Sequence, residues 1–451
     1  MTPRASWRRL KKQGMLLNAG LLVGHGSLRV AAAGAVNRLL HRDEQKKMEK
    51  HLSACMETGC LGLSTGLQYY PGSQSDTDEL VAAGKVLKRY GGIFTSHLRS
   101  YSHTLDQALD EVIRVGEENG IPVQVSHLYW QPYTRGLGAV MKGVIKLGSF
   151  AYNTLKIPIP IEKGLEAKLR ILEDASKRGV DIHFDQLPTA QGFTELFAFL
   201  PPYVMEGGRV KALERMKDAA FRKRVRRDLE HAEPEWPHSE GASWSFNYIR
   251  MTGWSGLRVM AVTRERNKWM EGSTFPEIGR ATGKNPMDAL ADLLVDERGQ
   301  VLVFHTPTVP DDSFVERSLW KAFIHPLFVP ATDTILLPYG RPSHVFYDCF
   351  PRFIELFVKK RKMLSLEEAV HKSTLYPAEI MGIKNRGRIR KGDYADIVLF
   401  DLDSIGTKAN FYTPAVHPAG IDTVLINGAK VVSKGRFIKG SMPGMFIRGK
   451  G

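Results

Sequence analysis

Cysteine is scarce in this sequence of 451 residues, which contains only Cys55, Cys60 and Cys349. So few and so scattered cysteines exclude a disulfide framework and a Cys-x-x-Cys zinc site, and they predict a reducing, cytoplasmic location. No stretch approaches the roughly 20 apolar residues of a membrane span. The apolar run near the amino end is interrupted by Asn18 and Gly20, so we expect neither a signal peptide nor contact with a membrane.

Positive charge is in excess, with 63 Lys and Arg against 48 Asp and Glu and a formal net charge of +15. Such an excess raises the question of a polyanionic partner. The densest basic runs, residues 222–227 and 359–362, fall in helix-like stretches without the aromatic motifs of RNA-binding modules, so no nucleic-acid partner is predicted. Hydrophobic residues make up 43%, which is enough for a large globular core.

Short apolar segments alternate with longer amphipathic patterns along most of the chain. Repeated strand and helix signals at this spacing predict parallel strands joined by helices, and seven such units favour a (β/α) barrel over an open sheet. The seven strand signals are LLNAGLLVGHG, CLGLSTG, GIFTSH, IPVQVSH, VDIHFDQ, QVLVFH and LFVPATD. The helix patterns after the first four cover residues 42–57, 76–90, 104–118 and 162–178.

Two regions depart from this alternation. Residues 130–161, interrupted by Pro158 and Pro160, are predicted to form an extended loop that covers the barrel mouth and controls access to it; an exposed insertion without a role is the alternative. From residue 384 the pattern changes to paired strands, with an Asn427-Gly428 hairpin signal. We therefore predict a barrel domain over residues 1–383 and a β-sandwich-like module over residues 384–451.

Four predicted strands end in side chains that bind metals or move protons: His97, His127, Asp185 and Asp333. Imidazoles and carboxylates that converge on one barrel rim suit a zinc hydrolase, because the metal lowers the pKa of a bound water toward ~7 and a carboxylate takes its proton. The remaining histidines near strand ends are interpreted as structural; they are His25, His183 and His305.

The order of several longer motifs carries a family resemblance. The chain contains GCLGLSTGLQYYPGSQSDTDEL, GGIFTSHLRS, ALDEVIRVGEENGIPVQVSHL, HFDQLPTAQG, NKWMEGSTFPEI, HPLFVPATD and RGRIRKGDYADIVLFD, in that order. Over nearly its whole length it resembles the D-aminoacylase (N-acyl-D-amino-acid deacylase) family of the amidohydrolase superfamily. The resemblance implies a metal-dependent TIM-like barrel, a β-sandwich subdomain and hydrolysis of the amide bond of an N-acylated D-amino acid.

The sequence also departs from that family. It lacks the opening His-x-His strand and the Asn-Cys-Gly strand, so the barrel is expected to be incomplete at its amino end. His127 and Asp333 match metal or catalytic positions of the family, and His97 ends the preceding strand, whereas the next ligand position is Leu187. We expect His97, His127 and Asp333 to share one weakly bound zinc ion, with Asp333 also the catalytic proton carrier.

The positions that resemble the family's substrate-binding residues also differ. Tyr69 is retained, but the lysine after the Ser-His-Leu motif is Tyr129, and a His-Pro-Arg segment is replaced by Ser-His-Val beginning at Ser343. A lost cationic clamp removes hydrogen bonds worth ~1.5 to 3 kcal/mol each. Tyr69, Ser343 and Arg341 are the expected substrate contacts, with Lys156 as an alternative cation.

Two functions remain open at this point. One is a hydrolase of linear amides that binds a small N-acylated amino acid, with a separate chain or a second copy completing the barrel; a cyclic-amide hydrolase is disfavoured by the motif order. The other is a catalytically silent scaffold or binding protein that kept the barrel and lost the metal.

Overall fold

Three β-sheets organise the protein in this computed structural model, which describes residues 8–10, 12–236 and 244–449, without the side chains of positions 138 and 139. Part of the amino-terminal segment that argued against a signal peptide lies outside these residues. The strands are β1 Leu22–Gly24, β2 Gly62–Gly66, β3 Ile93–His97, β4 Val123–Val125, β5 Ile182–Gln186, β6 Gly192–Glu195, β7 Leu257–Ala261, β8 Leu302–His305, β9 Phe328–Pro330, β10 Ile397–Phe400, β11 Ile421–Ile426, β12 Ala429–Ser433 and β13 Arg436–Phe437.

The first sheet is parallel, with the strand order β1-β2-β3-β4-β5-β9. Its register places Gly66 opposite His97 and Ser96 opposite Val125, so the carboxyl ends of neighbouring strands meet at one rim. In the described residues β1 and β9 form the two edges of this sheet. The predicted parallel (β/α) arrangement is therefore confirmed with six strands.

Helices pack against the parallel sheet and also form much of the rest of the chain. They span His25–Ala33, Arg42–Glu57, Thr77–Tyr90, Leu105–Asn119, Gly138–Asn153, Glu162–Lys177, Arg209–Arg215, Ala219–His231, Tyr248–Thr252, Phe275–Thr282, Pro286–Asp296, Ser313–Arg317, Trp320–Phe323, Val345–Phe353, Leu366–Ser373 and Leu375–Ile380, with a π-helix at Ile354–Lys360. Asp76 caps the third of these by accepting from the backbone N–H of Glu79 at 2.8 Å. The buried faces of these helices and the strands share one large apolar core.

Two predictions about this region are wrong. The segment QVLVFH, expected as a barrel strand, forms β8 in a separate antiparallel sheet of order β6-β8-β7. Residues 130–161 are not an extended loop, because Gly138–Asn153 is a helix. That helix packs against the helices Tyr248–Thr252 and Ser313–Arg317.

The third sheet is antiparallel, with the order β10-β11-β12-β13. The predicted hairpin is present: Asn427 and Gly428 join β11 to β12 with φ angles of 50° and 83°. After β13 the chain returns to the barrel, where the backbone N–H of Ala19 donates to the carbonyl of Met445 at 3.0 Å. The division into two domains at residue 384 stays a prediction.

Among the described residues, none of the helices has both the length and the apolar character of a membrane span.

Candidate active site

His97 and His127 lie side by side at the carboxyl ends of β3 and β4. The Nδ1 atom of His97 is 2.9 Å from the Nε2 atom of His127, so one imidazole donates a hydrogen bond to the other. His97 Nε2 is also 3.0 Å from the side-chain oxygen of Gln68. Burial lowers the pKa of both imidazoles, which favours their neutral forms. Neutral imidazoles are the forms that bind metals or accept protons.

The turn that carries His127 is held by Asp185 from the neighbouring strand β5. His127 has a φ of 38°, a left-handed conformation that is unusual for a residue with a side chain. Its backbone N–H donates to Asp185 Oδ1 at 2.7 Å, and Gln124 Nε2 donates to Asp185 Oδ2 at 2.9 Å. Tyr101 Oη lies 3.0 Å from His127 Nδ1 and orients the ring. Asp185 therefore supports the backbone of His127 rather than acting as a free acid.

Asp333 and Tyr69 share a cavity with the histidine pair. A cavity of about 560 Å³ is lined by Tyr69, His97, His127, Asp185 and Asp333, among others. Asp333 follows β9 with a φ of 47°, a second strained backbone position at this rim. Its surroundings raise the pKa of its carboxyl to about 6 by desolvation. The phenol of Tyr69 is 3.4 Å from His97 Nδ1, and burial raises its pKa, so it keeps its proton.

The side chains of His97, His127 and Asp333 are of types that bind zinc, but their positions in the structure are not those of a zinc site. Two imidazoles and one carboxylate are ligand types that zinc prefers. The facing nitrogens of His97 and His127, however, are hydrogen-bonded to each other, and the described part of the chain contains no group of three or more His, Cys, Asp or Glu placed to hold a metal ion. These side chains would have to separate before they could bind an ion together.

Of the expected substrate contacts, the structure brings only Tyr69 to the histidine pair. The guanidinium of Arg341 lies over the ring of Phe411 at 5.3 Å, outside the two cavities that His97 and His127 line. Ser343 is also outside them; its hydroxyl is buried without a hydrogen-bond partner. The ammonium of Lys156 is exposed and donates to the carbonyl of Asn153 at 2.6 Å. The roles of Arg341 and Ser343 stay predictions.

The histidines interpreted as structural divide into two groups. His25 and His183 contact carboxylates, Glu79 and Asp181 respectively, each at 2.7 Å. His305 instead lines a second, more enclosed cavity beside His97 and His127, and burial lowers its pKa to about 3. Its position at the end of β8 was visible in the sequence, but its proximity to the pair depends on how the antiparallel sheet folds over the rim.

Sequence reasoning also missed the enclosing wall of this second cavity. Aromatic rings from four separate segments form much of it: Tyr129, Trp130, Phe193, Phe199, Phe246 and Tyr248. Trp130 belongs to residues 130–161, the region predicted to cover the barrel mouth. The part of that region that lines this cavity lies before the helix Gly138–Asn153. No local pattern in the sequence could assign these residues to one cavity.

Comparison with known proteins finds similar sequences along most of the chain. The amidohydrolase family model matches residues 347–431. Across 94% of the chain the sequence is 26% identical to an N-acyl-D-glutamate deacylase of Alcaligenes xylosoxydans xylosoxydans, covering 68% of that protein. A D-aminoacylase of the same organism is 24% identical over 92% of this chain and 67% of its own length.

Solved structures agree on the fold. An N-acyl-D-glutamate deacylase of Bordetella bronchiseptica, complexed with zinc and a phosphonate inhibitor, superposes with a TM-score of 0.72 at 23% identity, over 99% of this chain and 75% of the other. A D-aminoacylase in complex with copper chloride gives 0.68 at 22% identity, over 98% and 74%. Both neighbours are metal-bound. The chain is therefore similar over nearly its whole length to N-acyl-D-amino-acid deacylases, and part of its carboxyl-terminal region matches the amidohydrolase family model.

Proposed function

We propose that this chain hydrolyses the amide bond of a small N-acylated amino acid. The observation that carries the proposal is the meeting of His97, His127, Tyr69 and Asp333 at one cavity on the carboxyl rim of the parallel strands. Active sites of such barrels are built at this rim. The relatives by sequence are deacylases of N-acyl-D-amino acids, which supports an amide of this kind as the substrate.

The residues divide the chemistry between them. Asp333, with a pKa of about 6, is mostly ionised at pH 7 and accepts a proton from the attacking water, then returns it to the leaving nitrogen. The protonated phenol of Tyr69 donates a hydrogen bond to the acyl oxygen as negative charge develops there. His127 is held in place by Asp185 and faces the same cavity.

A single zinc ion, held weakly by His97, His127 and Asp333, completes the proposal. When bound it would supply a positive charge that polarises the acyl carbonyl. Weak binding is supported by the mutual hydrogen bond of the two imidazoles, which has to break first. Zinc titration by calorimetry should give a dissociation constant well above that of a closed structural zinc site, and His127→Ala should weaken binding further.

The test of function is an assay on the purified chain. N-acetyl-D-amino acids are incubated with the protein with and without added zinc, and release of the free amine is measured. We expect slow hydrolysis that His127→Ala abolishes, whereas His231→Ala, which changes an exposed histidine, leaves the rate unchanged. No hydrolysis of any N-acyl amino acid by the folded, zinc-supplemented protein would overturn the proposal in favour of the silent scaffold.

We also propose a protein partner for the barrel, either a separate chain that supplies further strands or a second copy. Edge strands that lack a neighbour favour association. β1 and β9 each pair on one side only in the described residues, and the helix Gly138–Asn153 exposes Val144, Leu147 and Phe150. Light scattering should detect association, and a stable monodisperse monomer would contradict it.

Two further assignments complete the proposal. A reducing, cytoplasmic compartment is supported by the three cysteines, all of which are free. A domain boundary near residue 384 is supported by the change to antiparallel strands from β10 onward. Limited proteolysis should cleave first near this residue if the boundary is correct.

A further inference from the structure

The more enclosed cavity beside the histidine pair, which we call the inner cavity, has a volume of about 90 Å³. At about 10 to 15 Å³ for each water, it has room for about six to nine water molecules, on the order of an aromatic ring with a small polar group. Its walls include Tyr129, Trp130, Phe199 and Tyr248. The inner cavity is therefore lined to a large extent by aromatic side chains.

Charge is sparse in the inner cavity. None of the described residues that line it is a lysine or an arginine, and Asp333 is its one aspartate or glutamate. A ligand carboxylate in this place would lose its hydration without gaining a cationic side-chain partner, which is unfavourable in an enclosed site. The cations considered as substitutes, Arg341 and Lys156, contact other groups outside it.

Several polar atoms of the residues that line the inner cavity are neutral and lack partners. Both amide atoms of Gln191, the Nε2 of Gln131 and the hydroxyl of Tyr248 are buried without a hydrogen-bond partner. These three side chains line the inner cavity, and their residues are 4%, 4% and 1% exposed. Buried polar groups are normally paired, and leaving them unpaired is costly. Together they offer donors and an acceptor that match a neutral amide.

We infer that the inner cavity binds the uncharged part of the substrate: an aromatic side chain together with a carboxamide. The preferred substrate is therefore an N-acyl aromatic amino acid whose α-carboxyl group is a carboxamide. N-acyl amino acids with a free α-carboxylate or with an acidic side chain are disfavoured. This rests on the proposed hydrolysis of the N-acyl bond. It separates the chain from the two relatives whose names specify D-glutamate and D-aspartate. The reaction consumes one water and releases the carboxylic acid and the amino-acid amide with a free amine.

The experiment compares N-acetyl-D-phenylalanine amide, N-acetyl-D-phenylalanine and N-acetyl-D-glutamate, with acetate release as the readout. We expect kcat/KM to be at least tenfold higher for the amide than for the glutamate substrate. Gln191→Leu should raise KM for the amide about tenfold with little change in kcat, whereas Gln300→Leu, at an exposed position, should change neither. Equal or faster turnover of N-acetyl-D-glutamate would overturn the inference and leave the proposed function intact.

Calorimetry with the same amide separates the remaining outcomes. Binding that Gln191→Leu weakens, without hydrolysis of any of the three compounds, would support the inner cavity as a neutral-ligand site and overturn the proposed function. Absence of both binding and hydrolysis would overturn both. A KM unaffected by Gln191→Leu would refute the assignment of the glutamine amide even if the amide substrate is preferred.

Discussion

Replacing Asp185 with alanine should loosen the turn that carries His127. The carboxylate accepts hydrogen bonds from the His127 backbone at 2.7 Å and from Gln124 at 2.9 Å. Alanine leaves both donors unpaired in a largely buried place, at about 1 to 3 kcal/mol each, so the free energy of unfolding should fall by about 2 to 6 kcal/mol. Because His127 has a φ of 38°, losing the acceptor also removes a restraint on a strained backbone.

Asparagine at position 185 is the matched control. It keeps an oxygen for the His127 backbone N–H, and its new NH₂ group faces Gln124, whose own side-chain oxygen is buried without a partner. If the Gln124 amide rotates, that oxygen accepts from the asparagine. Burial also raises the pKa of Asp185, so removing the charge relieves a desolvation cost. The free energy of unfolding of the asparagine variant should therefore be within about 1 kcal/mol of that of the parent.

Thermal melting at pH 7 followed by near-UV circular dichroism distinguishes the two variants. With a shift of roughly 1 to 2 °C per kcal/mol for a protein of this size, alanine should melt about 2 to 12 °C below asparagine. Deacylation should fall further in the alanine variant, because the imidazole of His127 is less well positioned. Melting temperatures within about 1 °C of each other would refute the idea that Asp185 holds this turn.

Three other perturbations have defined outcomes. In Gly192→Ala the new Cβ would lie 2.0 Å from a ring nitrogen of His305, so deacylation should fall at least about tenfold. In the control Gly143→Ala the new Cβ meets open space, and the rate should be unchanged. Equal rates in the two variants would contradict this prediction. Burial lowers the pKa of Lys372 from 10.5 to about 8, because the folded protein favours the neutral amine. The stability that the buried neutral amine contributes is therefore fully present above pH 10.5 and is lost as the pH falls through 8. The parent should therefore gain melting temperature from pH 8 to pH 10 relative to Lys372→Met, and parallel profiles would contradict this sign. Asp312→Ala removes the acceptor for two side chains of Gly138–Asn153, so trypsin should cut this helix faster; an unchanged cleavage rate would show that other contacts hold it.

The rim of the barrel was largely predictable because strand alternation is a local property. Once β3 and β4 are recognised as neighbours in a parallel sheet, His97 at the end of β3 and His127 just after β4 must lie close together. The left-handed turn at His127 and the direct contact between the two rings were not predictable. They depend on Asp185, which is 58 residues away in sequence.

The errors have physical causes as well. A four-residue apolar run such as β8 is equally compatible with parallel and antiparallel pairing, so pattern alone could not exclude it from the barrel. The helix Gly138–Asn153 was missed because its flanking prolines indicated a loop and because exposed Val144 and Leu147 obscure the usual apolar and polar faces. The inner cavity joins segments as distant as Tyr129 and His305, beyond the reach of any sequence window.

The return of residues 443–449 to the barrel has a consequence for the order of folding. Asn18 accepts a hydrogen bond from the backbone of Met445, 427 residues later, and from the side chain of Asn427 at the hairpin turn. During synthesis the segment around Asn18 leaves the ribosome long before these partners exist. Contacts with such separation in sequence form slowly. The amino-terminal segment of the nascent barrel therefore lacks these hydrogen bonds until the antiparallel sheet and the residues after it have been translated.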